Sequence, residues 1–231
     1  MKDVILILSP QGGGGTLLAS CLGAHPMVAI LDEDKSGKKF TEISGKPIVG
    51  TKLCVPNQIQ LDKRVRIFPV EFEDWLPVSA TLRMLIGKIG LMGHVPRMHY
   101  SVRELIELYN PKILLVDRDK RETKRSMKKS WVRSERDLPG LESAERHAEW
   151  RIMEYERTLH ALLEYPESQR LVIRFEELVS IPEMILGSVC RFLDIPFDQK
   201  MIHWGPKYNF RYPATGFIKQ KSDSIGTLQS A

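Results

Sequence analysis

The chain has 231 residues, 42% of them hydrophobic and 27% charged, with a net charge of +5. That size and apolar share fit one globular domain, residues 1–231, with a full core. No apolar run is long enough to span a bilayer, and the early run at 4–8 is too short for a signal-peptide core. The three cysteines, Cys21, Cys54 and Cys190, are scattered, with no CxxC and no histidine at metal-ligand spacing. An odd, dispersed set reads as free thiols in a reducing compartment, so a cytoplasmic protein without a metal is expected.

The strongest local signal comes first. A buried-strand run, Val4 to Leu8, leads through Ser9-Pro10-Gln11 into Gly12, Gly13, Gly14 and Gly15, and then Thr16-Leu17-Leu18. Glycines let the main chain take positive φ and let an anion approach without Cβ obstruction. The N–H groups at the following helix start hold its charge. Thr16 adds a hydroxyl, either to cap the helix or to bind the anion.

A helix over 17–24 follows and breaks at Ala24-His25-Pro26, then a strand near 27–31 and an exposed charged loop beginning at Asp32. A further strand is read at 48–53, with Lys52 at its end, where a cation beside the ligand edge favours an anion. Residues 57–110 are ambiguous, with helices expected near 78–89 and 102–109. Aromatic and apolar residues there (Phe68, Phe72, Trp75, Met84, Met92, Met98) fit core packing or an apolar ligand.

The run at 112–116 is a buried strand that delivers Asp117-Arg118-Asp119 to a turn. Next comes a basic helix over 121–132; residues 118–133 hold eight Lys/Arg against two acids. Such a segment is a solvated helix face or an anion-attracting surface. A long helix over 143–165, a strand over 170–175 and a helix starting near Pro182 complete the alternation. Strands alternating with helices imply an α/β, three-layer, mostly parallel sheet flanked by helices. Ligands in such folds sit at the carboxyl ends of the strands, which puts the glycine turn and Arg118 on one edge.

The glycine turn is not a Walker A loop, since Gly15 stands where that motif's lysine would precede Thr16. Four segments in order instead resemble the sulfotransferases that use 3′-phosphoadenosine 5′-phosphosulfate (PAPS). Pro10 to Leu18 followed by Ala24-His25-Pro26 is similar to that family's strand–loop–helix. Leu115-Val116-Asp117-Arg118-Asp119, with Ser126 eight residues beyond Arg118, resembles its 3′-phosphate site. Val172-Ile173-Arg174-Phe175-Glu176-Glu177-Leu178 and Phe192-Leu193-Asp194-Ile195-Pro196 resemble two later motifs, and Phe217-Ile218-Lys219 stands where the family has a basic loop over the nucleotide.

The resemblance implies a P-loop NTPase-like fold and in-line transfer of a sulfuryl group from PAPS, without a metal, to a hydroxyl or amine of a small molecule, glycan or lipid. It implies that Gly12, Gly13, Gly14, Gly15 and Thr16 hold the 5′-phosphosulfate and that Arg118 and Ser126 grip the 3′-phosphate. By the same resemblance Lys52 contacts the sulfuryl group and Glu33 is the base, with Asp32, Asp34 and His25 as rivals. Phe175 stacks on adenine or packs in the core; Lys219 folds over the nucleotide or is solvated. Residues 57–100 match nothing in the family and read as the insert that shapes the acceptor site.

The chain departs from the family at Gly12, where Arg or Lys is usual, and at Gly13 and Gly15, where hydroxyls are usual. Losing contacts of that kind costs roughly 2–4 kcal/mol of transition-state stabilisation. A nucleotide-binding relative with impaired turnover is therefore one alternative, and a P-loop nucleotide kinase is another. A nucleic-acid module built on 118–133 finds little support, because no aromatic interrupts that stretch before Trp131. The sequence leaves the oligomeric state open.

Overall fold

The structure, a computed structural model, describes residues 2–32, 43, 45–62, 64–66, 75–77, 100–133, 141–202 and 210–211. In chain order the elements are β1 (Asp3–Pro10), α1 (Gly15–Gly23), β2 (Val28–Asp32), β3 (Ile48–Val55), β4 (Arg64–Arg66), β5 (Trp75–Pro77), α2 (Val102–Tyr109) and β6 (Lys112–Asp117). They continue with α3 (Lys120–Arg133), α4 (Leu141–Leu162), β7 (Arg170–Arg174), α5 (Phe175–Ser180), α6 (Pro182–Leu193), a 3-10 turn at Gln199–Met201 and β8 (Phe210–Arg211). One sheet runs in the order β7-β6-β1-β3-β2-β8, with every pairing parallel. β4 and β5 form a separate antiparallel pair within the 57–100 segment.

The unbroken apolar run of β1 follows from burial on both faces. Ile5 and Ile7 point into one core, which α1 and α6 complete with Leu18, Leu22, Leu186 and Val189. Leu6 and Leu8 point into the other, completed by Val102 and Leu105 of α2 and Tyr155 and Leu162 of α4. Three layers result, as the alternation of elements implies. α3 packs on α4 through Met127, Ala148 and Ile152.

The ligand edge is defined by where the strands part. β1 and β6 stay in register only to Leu8↔Leu115. β1 then continues beside β3 to Pro10↔Val55, while β6 continues beside β7 to Asp117↔Arg174. A fork opens between the two central strands, at the point where the chain's connections turn in opposite directions along the sheet. Crevices of this kind are where open α/β sheets bind ligands.

Several elements differ from the sequence reading. β3 continues to Val55, so Lys52 lies inside a strand and not at its end. Asp32 closes β2 at 1% exposure and does not begin a solvated loop. β7 stops at Arg174, and Phe175 opens the short helix α5. The β-prone Val172-Ile173-Arg174-Phe175 run masks that boundary, while Glu176 and Glu177 in the first turn favour a helix N-terminus. The helix read over 102–109 is present with a full capping box between Ser101 and Glu104. The helix read over 78–89 lies outside the described residues.

Candidate functional site

The glycine turn is shaped by its neighbours. Gly12 and Gly14 have φ of 75° and 95°, a region that only glycine enters without strain. A Cβ on Gly12 would lie 2.9 Å from Ser126 Oγ, and one on Gly14 would lie 2.0 Å from Cδ2 of Phe175. Side chains at Gly13 and Gly15 would run into Pro10 and into Ser9 Oγ, at 2.5 and 2.3 Å. The turn therefore has no room for the arginine and hydroxyls usual at these places. Instead Ser126, Phe175 and Ser9 close in on a bare backbone.

Gly14, in left-handed conformation, is the N-cap of α1, and no side chain caps the helix. Thr16 is thus a helical residue and its capping role is set aside; the N–H groups of Leu17 and Leu18 donate to the Gly14 carbonyl, at 2.9 and 3.3 Å.

Arg118 occupies the turn between β6 and α3. Asp119 sets that turn: its Oδ1 accepts from the backbone N–H of Arg121 and Glu122, at 2.9 and 3.0 Å, as an N-cap does. Arg118 Nη1 donates to the Gly12 carbonyl at 2.7 Å, and the guanidinium lies 4.3 Å from the centre of the Phe175 ring. Arg118 Nε is buried and has no hydrogen-bond partner among the described residues. A donor of a charged group left in this state is costly unless something accepts from it. Phe175 sits between Gly14 and Arg118, so one ring face is taken by the guanidinium, and the ring packs against the first core.

Lys52 reaches the turn from beneath, with Cγ 3.5 Å from the Cβ position of Gly15. It is 2% exposed, and its Nζ is 2.9 Å from Oδ1 of Asp32, its register partner on β2. The lysine is held as half of a buried ion pair, an arrangement that costs desolvation on both sides and persists through its partner. His25 is 1% exposed with both ring nitrogens engaged: Nε2–H donates to the Pro196 carbonyl at 2.8 Å, and the Met27 N–H donates to Nδ1 at 3.1 Å. That leaves it no capacity as a base. Glu33, Asp34 and Lys219 lie outside the described residues. The structure thus brings together Gly12 to Thr16, Lys52, Arg118, Ser126 and Phe175.

Three features escaped the sequence reading. The Tyr155 hydroxyl, from α4, sits in the β1/β6 fork, donating to the Val116 carbonyl at 2.7 Å with the Leu8 carbonyl at 3.5 Å. Burial, reinforced by the charge of Asp117, pushes its phenol well above the usual range, so it stays a donor. One turn earlier on α4, Arg151 Nη1 donates to Gln11 Oε1, which also accepts from Asn57 Nδ2 at 2.8 Å. Ser9 is buried against Gly15. The available signal was the i,i+4 pairing of Arg151 with the apolar-face Tyr155.

The basic segment is answered in part by acids of α4, while Arg121, Arg125 and Lys129 are exposed. Lys124 Nζ lies 2.6 Å from Glu149, Lys128 Nζ lies 2.6 Å from Glu145, and Lys120 pairs with Glu156, all across the α3–α4 seam. The hydrogen bond that Lys124 donates to Glu149 raises the pKa of its ammonium, and those donated by Lys128 and Lys124 hold the Glu145 carboxyl below its ordinary value. Among the described residues no helix is long and apolar enough to cross a membrane, and no group of three or more His, Cys, Asp or Glu could hold a metal ion.

A parallel sheet, a glycine turn opening a helix at the sheet's fork, and an arginine from the next strand end define a P-loop-like α/β protein. The sequence model of the family described as "Sulfotransferase family" matches residues 4–199. The chain belongs to that sulfotransferase family. No curated protein matches it significantly. Among solved structures it is similar to a sulfotransferase domain from the curacin biosynthetic pathway (TM-score 0.53, 17% identity, covering 99% of this chain and 88% of that one). It is also similar to a sulfotransferase domain from the olefin synthase of Synechococcus PCC 7002 (TM-score 0.54, 15% identity, 99% and 86%). A mouse sulfotransferase complexed with PAP shares the fold at TM-score 0.51 and 15% identity, with coverage of 87% of this chain and 62% of that one. At these identities the likeness is one of fold. The family match leaves the kinase reading without support.

Proposed function

We propose that the protein transfers a sulfuryl group from PAPS to a hydroxyl or amine acceptor. The observation that carries this reading is the convergence at Gly12: its carbonyl accepts from Arg118, and its missing side chain is replaced by close approach of Ser126. The unfilled Nε of Arg118 supports a bound anion at this place. In the fold neighbour from mouse the ligand is PAP, the product such a donor would leave.

In this reading the 3′-phosphate sits on Arg118 and Ser126, and the 5′-phosphosulfate on the N–H groups of Gly12, Gly14 and Gly15 with Thr16, while the Gly13 N–H closes the turn by donating to the Pro10 carbonyl at 2.9 Å. The acceptor oxygen or nitrogen forms a bond to sulfur while the sulfur–oxygen bond to the 5′-phosphate breaks. The bonding pair stays on the phosphate oxygen, and the acceptor's proton passes to a base, which is Glu33. Lys52, held against the turn by Asp32, faces the charge that moves from the sulfuryl group to the leaving phosphate. As in phosphoryl transfer, positioning and charge stabilisation supply the catalysis. Phe175 packs between Gly14 and the Arg118 guanidinium, and Lys219 closes over the nucleotide. The acceptor is a small molecule, glycan or lipid, selected by residues 57–100. The free cysteines fit a reducing compartment such as the cytoplasm.

Incubation with 35S-labelled PAPS and a panel of phenols, alcohols, amines and glycans tests the reading. Transfer of label by the wild type, lost in Glu33→Gln, supports it. Stabilisation by adenosine 3′,5′-bisphosphate without any transfer would leave a nucleotide binder with impaired turnover.

A further inference from the structure

A nucleotide with two phosphates carries them at a separation set by its own bonds, so a protein that grips both must hold its grips at a matching span. Here the two grips hang from different strands. The glycine turn follows Leu8 of β1 by way of Ser9-Pro10-Gln11, and Arg118 follows Val116 of β6 by way of Asp117 alone. The β1/β6 pairing ends at Leu8↔Leu115, so the ladder stops short of both grips. Something else has to set how far the fork opens.

A buried hydroxyl meets it there. Tyr155, Leu159 and Leu162 lie on the face of α4 that packs into the second core, and Tyr155 is 3% exposed. Its hydroxyl donates to the Val116 carbonyl at 2.7 Å, with the Leu8 carbonyl 3.5 Å away. One carbonyl belongs to each strand, at the level where their pairing ends. Burial, with the charge of Asp117, keeps the phenol protonated, so it remains a donor. A buried carbonyl left without a donor is costly, which favours the strand spacing that one hydroxyl can serve. The bond from Arg118 to the Gly12 carbonyl crosses the same fork nearer its mouth. Tyr155 crosses it at the base.

From this bridge we infer that Tyr155 is a positioning residue, whose hydroxyl fixes the opening of the β1/β6 fork and so the span between the glycine turn and Arg118. The inference rests on the reading of those two grips as one site for the PAPS nucleotide. Tyr155 acts through the strands and touches no part of the ligand. A changed span is felt by a ligand that must reach both grips and not by one that engages either alone. It also shifts the sulfuryl group relative to its acceptor, and a misplacement of about 1 Å costs on the order of 10² in rate.

Tyr155→Phe removes the hydroxyl and keeps the ring. Calorimetric titration of wild type and variant with adenosine 3′,5′-bisphosphate, adenosine 5′-monophosphate and adenosine 3′-monophosphate reads the span. Affinity for the bisphosphate should fall roughly tenfold while both monophosphates stay within about twofold, and turnover of labelled PAPS should fall further. Leu162→Ala, about two turns further along α4 in the same core, costs stability but leaves the hydroxyl in place. It should keep the wild-type ratio of bisphosphate to monophosphate affinity. Circular dichroism checks folding; if Tyr155→Phe is unfolded in plain buffer, sucrose favours the folded state and every protein is titrated in it. Equal losses for all three nucleotides, no loss for any, or the same altered ratio in Leu162→Ala would overturn the inference. A wild type that does not bind the bisphosphate removes the underlying reading instead, and this inference with it.

Discussion

Arg118 and Gly12, 106 positions apart in the chain, are joined by a 2.7 Å hydrogen bond from guanidinium to backbone carbonyl. That bond couples the end of β6 to the turn after β1, across the fork where the two strands separate. It also orients the rest of the arginine, leaving Nε inward and without a partner among the described residues. Arg118→Ala should weaken adenosine 3′,5′-bisphosphate binding by about 10–100-fold, the worth of one or two charge-assisted hydrogen bonds. Binding of adenosine 5′-monophosphate, which has no 3′-phosphate, should change much less. Calorimetry with both nucleotides measures this selectivity, and equal losses would contradict the assignment.

Gly14 offers a test of the packed turn. Gly14 and Gly45 both have positive φ, 95° and 77°, but of the two only Gly14 has a neighbour among the described residues where a Cβ would go. Gly45→Ala should therefore cost only the backbone strain, about 1–2 kcal/mol. Gly14→Ala should cost clearly more, because Phe175 must move and take Arg118 with it. Denaturant melts of the two variants compare the costs directly; equal destabilisation would mean that Phe175 yields freely.

The buried pair of Lys52 and Asp32 separates stability from chemistry. Lys52→Met leaves a carboxylate buried without its ammonium, and breaking such a pair costs about 3–5 kcal/mol. The double variant Lys52→Met with Asp32→Leu should recover most of that loss, since apolar replacements of buried pairs are often neutral. Sulfuryl transfer should stay absent in both. Recovery of transfer along with stability would show that Lys52 serves the fold alone.

The seam between α3 and α4 should be sensitive to acid. Glu145 is held below its ordinary value by Lys128 and Lys124. A carboxylate depressed in the folded state stabilises above its unfolded value, about 4.3, and loses that contribution as pH falls through its folded value. Glu145→Gln should therefore melt below the wild type at neutral pH, and the two should converge in acid. Melting temperatures followed from about pH 7 to pH 2 check the convergence. Salt should narrow the neutral-pH gap as well, because the pairs are partly exposed.

Much of this site was written in local pattern. The run from Val4 to Leu8 into glycines announced a strand, turn and helix, and the Arg118–Ser126 spacing placed both side chains toward the same turn. What pattern could not give was what fills the space around the glycines. Nothing near Gly14 in sequence points to Phe175, and a strand-like run concealed that Phe175 begins a helix. Lys52 read as a strand-end cation because its partner, Asp32, is adjacent only through the register of two parallel strands. Arg151 and Tyr155 looked like ordinary residues of a long helix until the fork between β1 and β6 gave that helix something to hold. Charge counting exaggerated the basic segment for the same reason, since the acids that answer it lie on α4.

The central claim is that the glycine turn and the arginine–serine couple form a single site for a doubly phosphorylated adenosine. Isothermal titration of the wild-type protein with adenosine 3′,5′-bisphosphate, beside ADP with Mg²⁺, tests it most directly. Saturable one-to-one binding of the bisphosphate, and none of ADP, is the expected result. No heat from the bisphosphate at millimolar concentration, or equal binding of the two nucleotides, would contradict it.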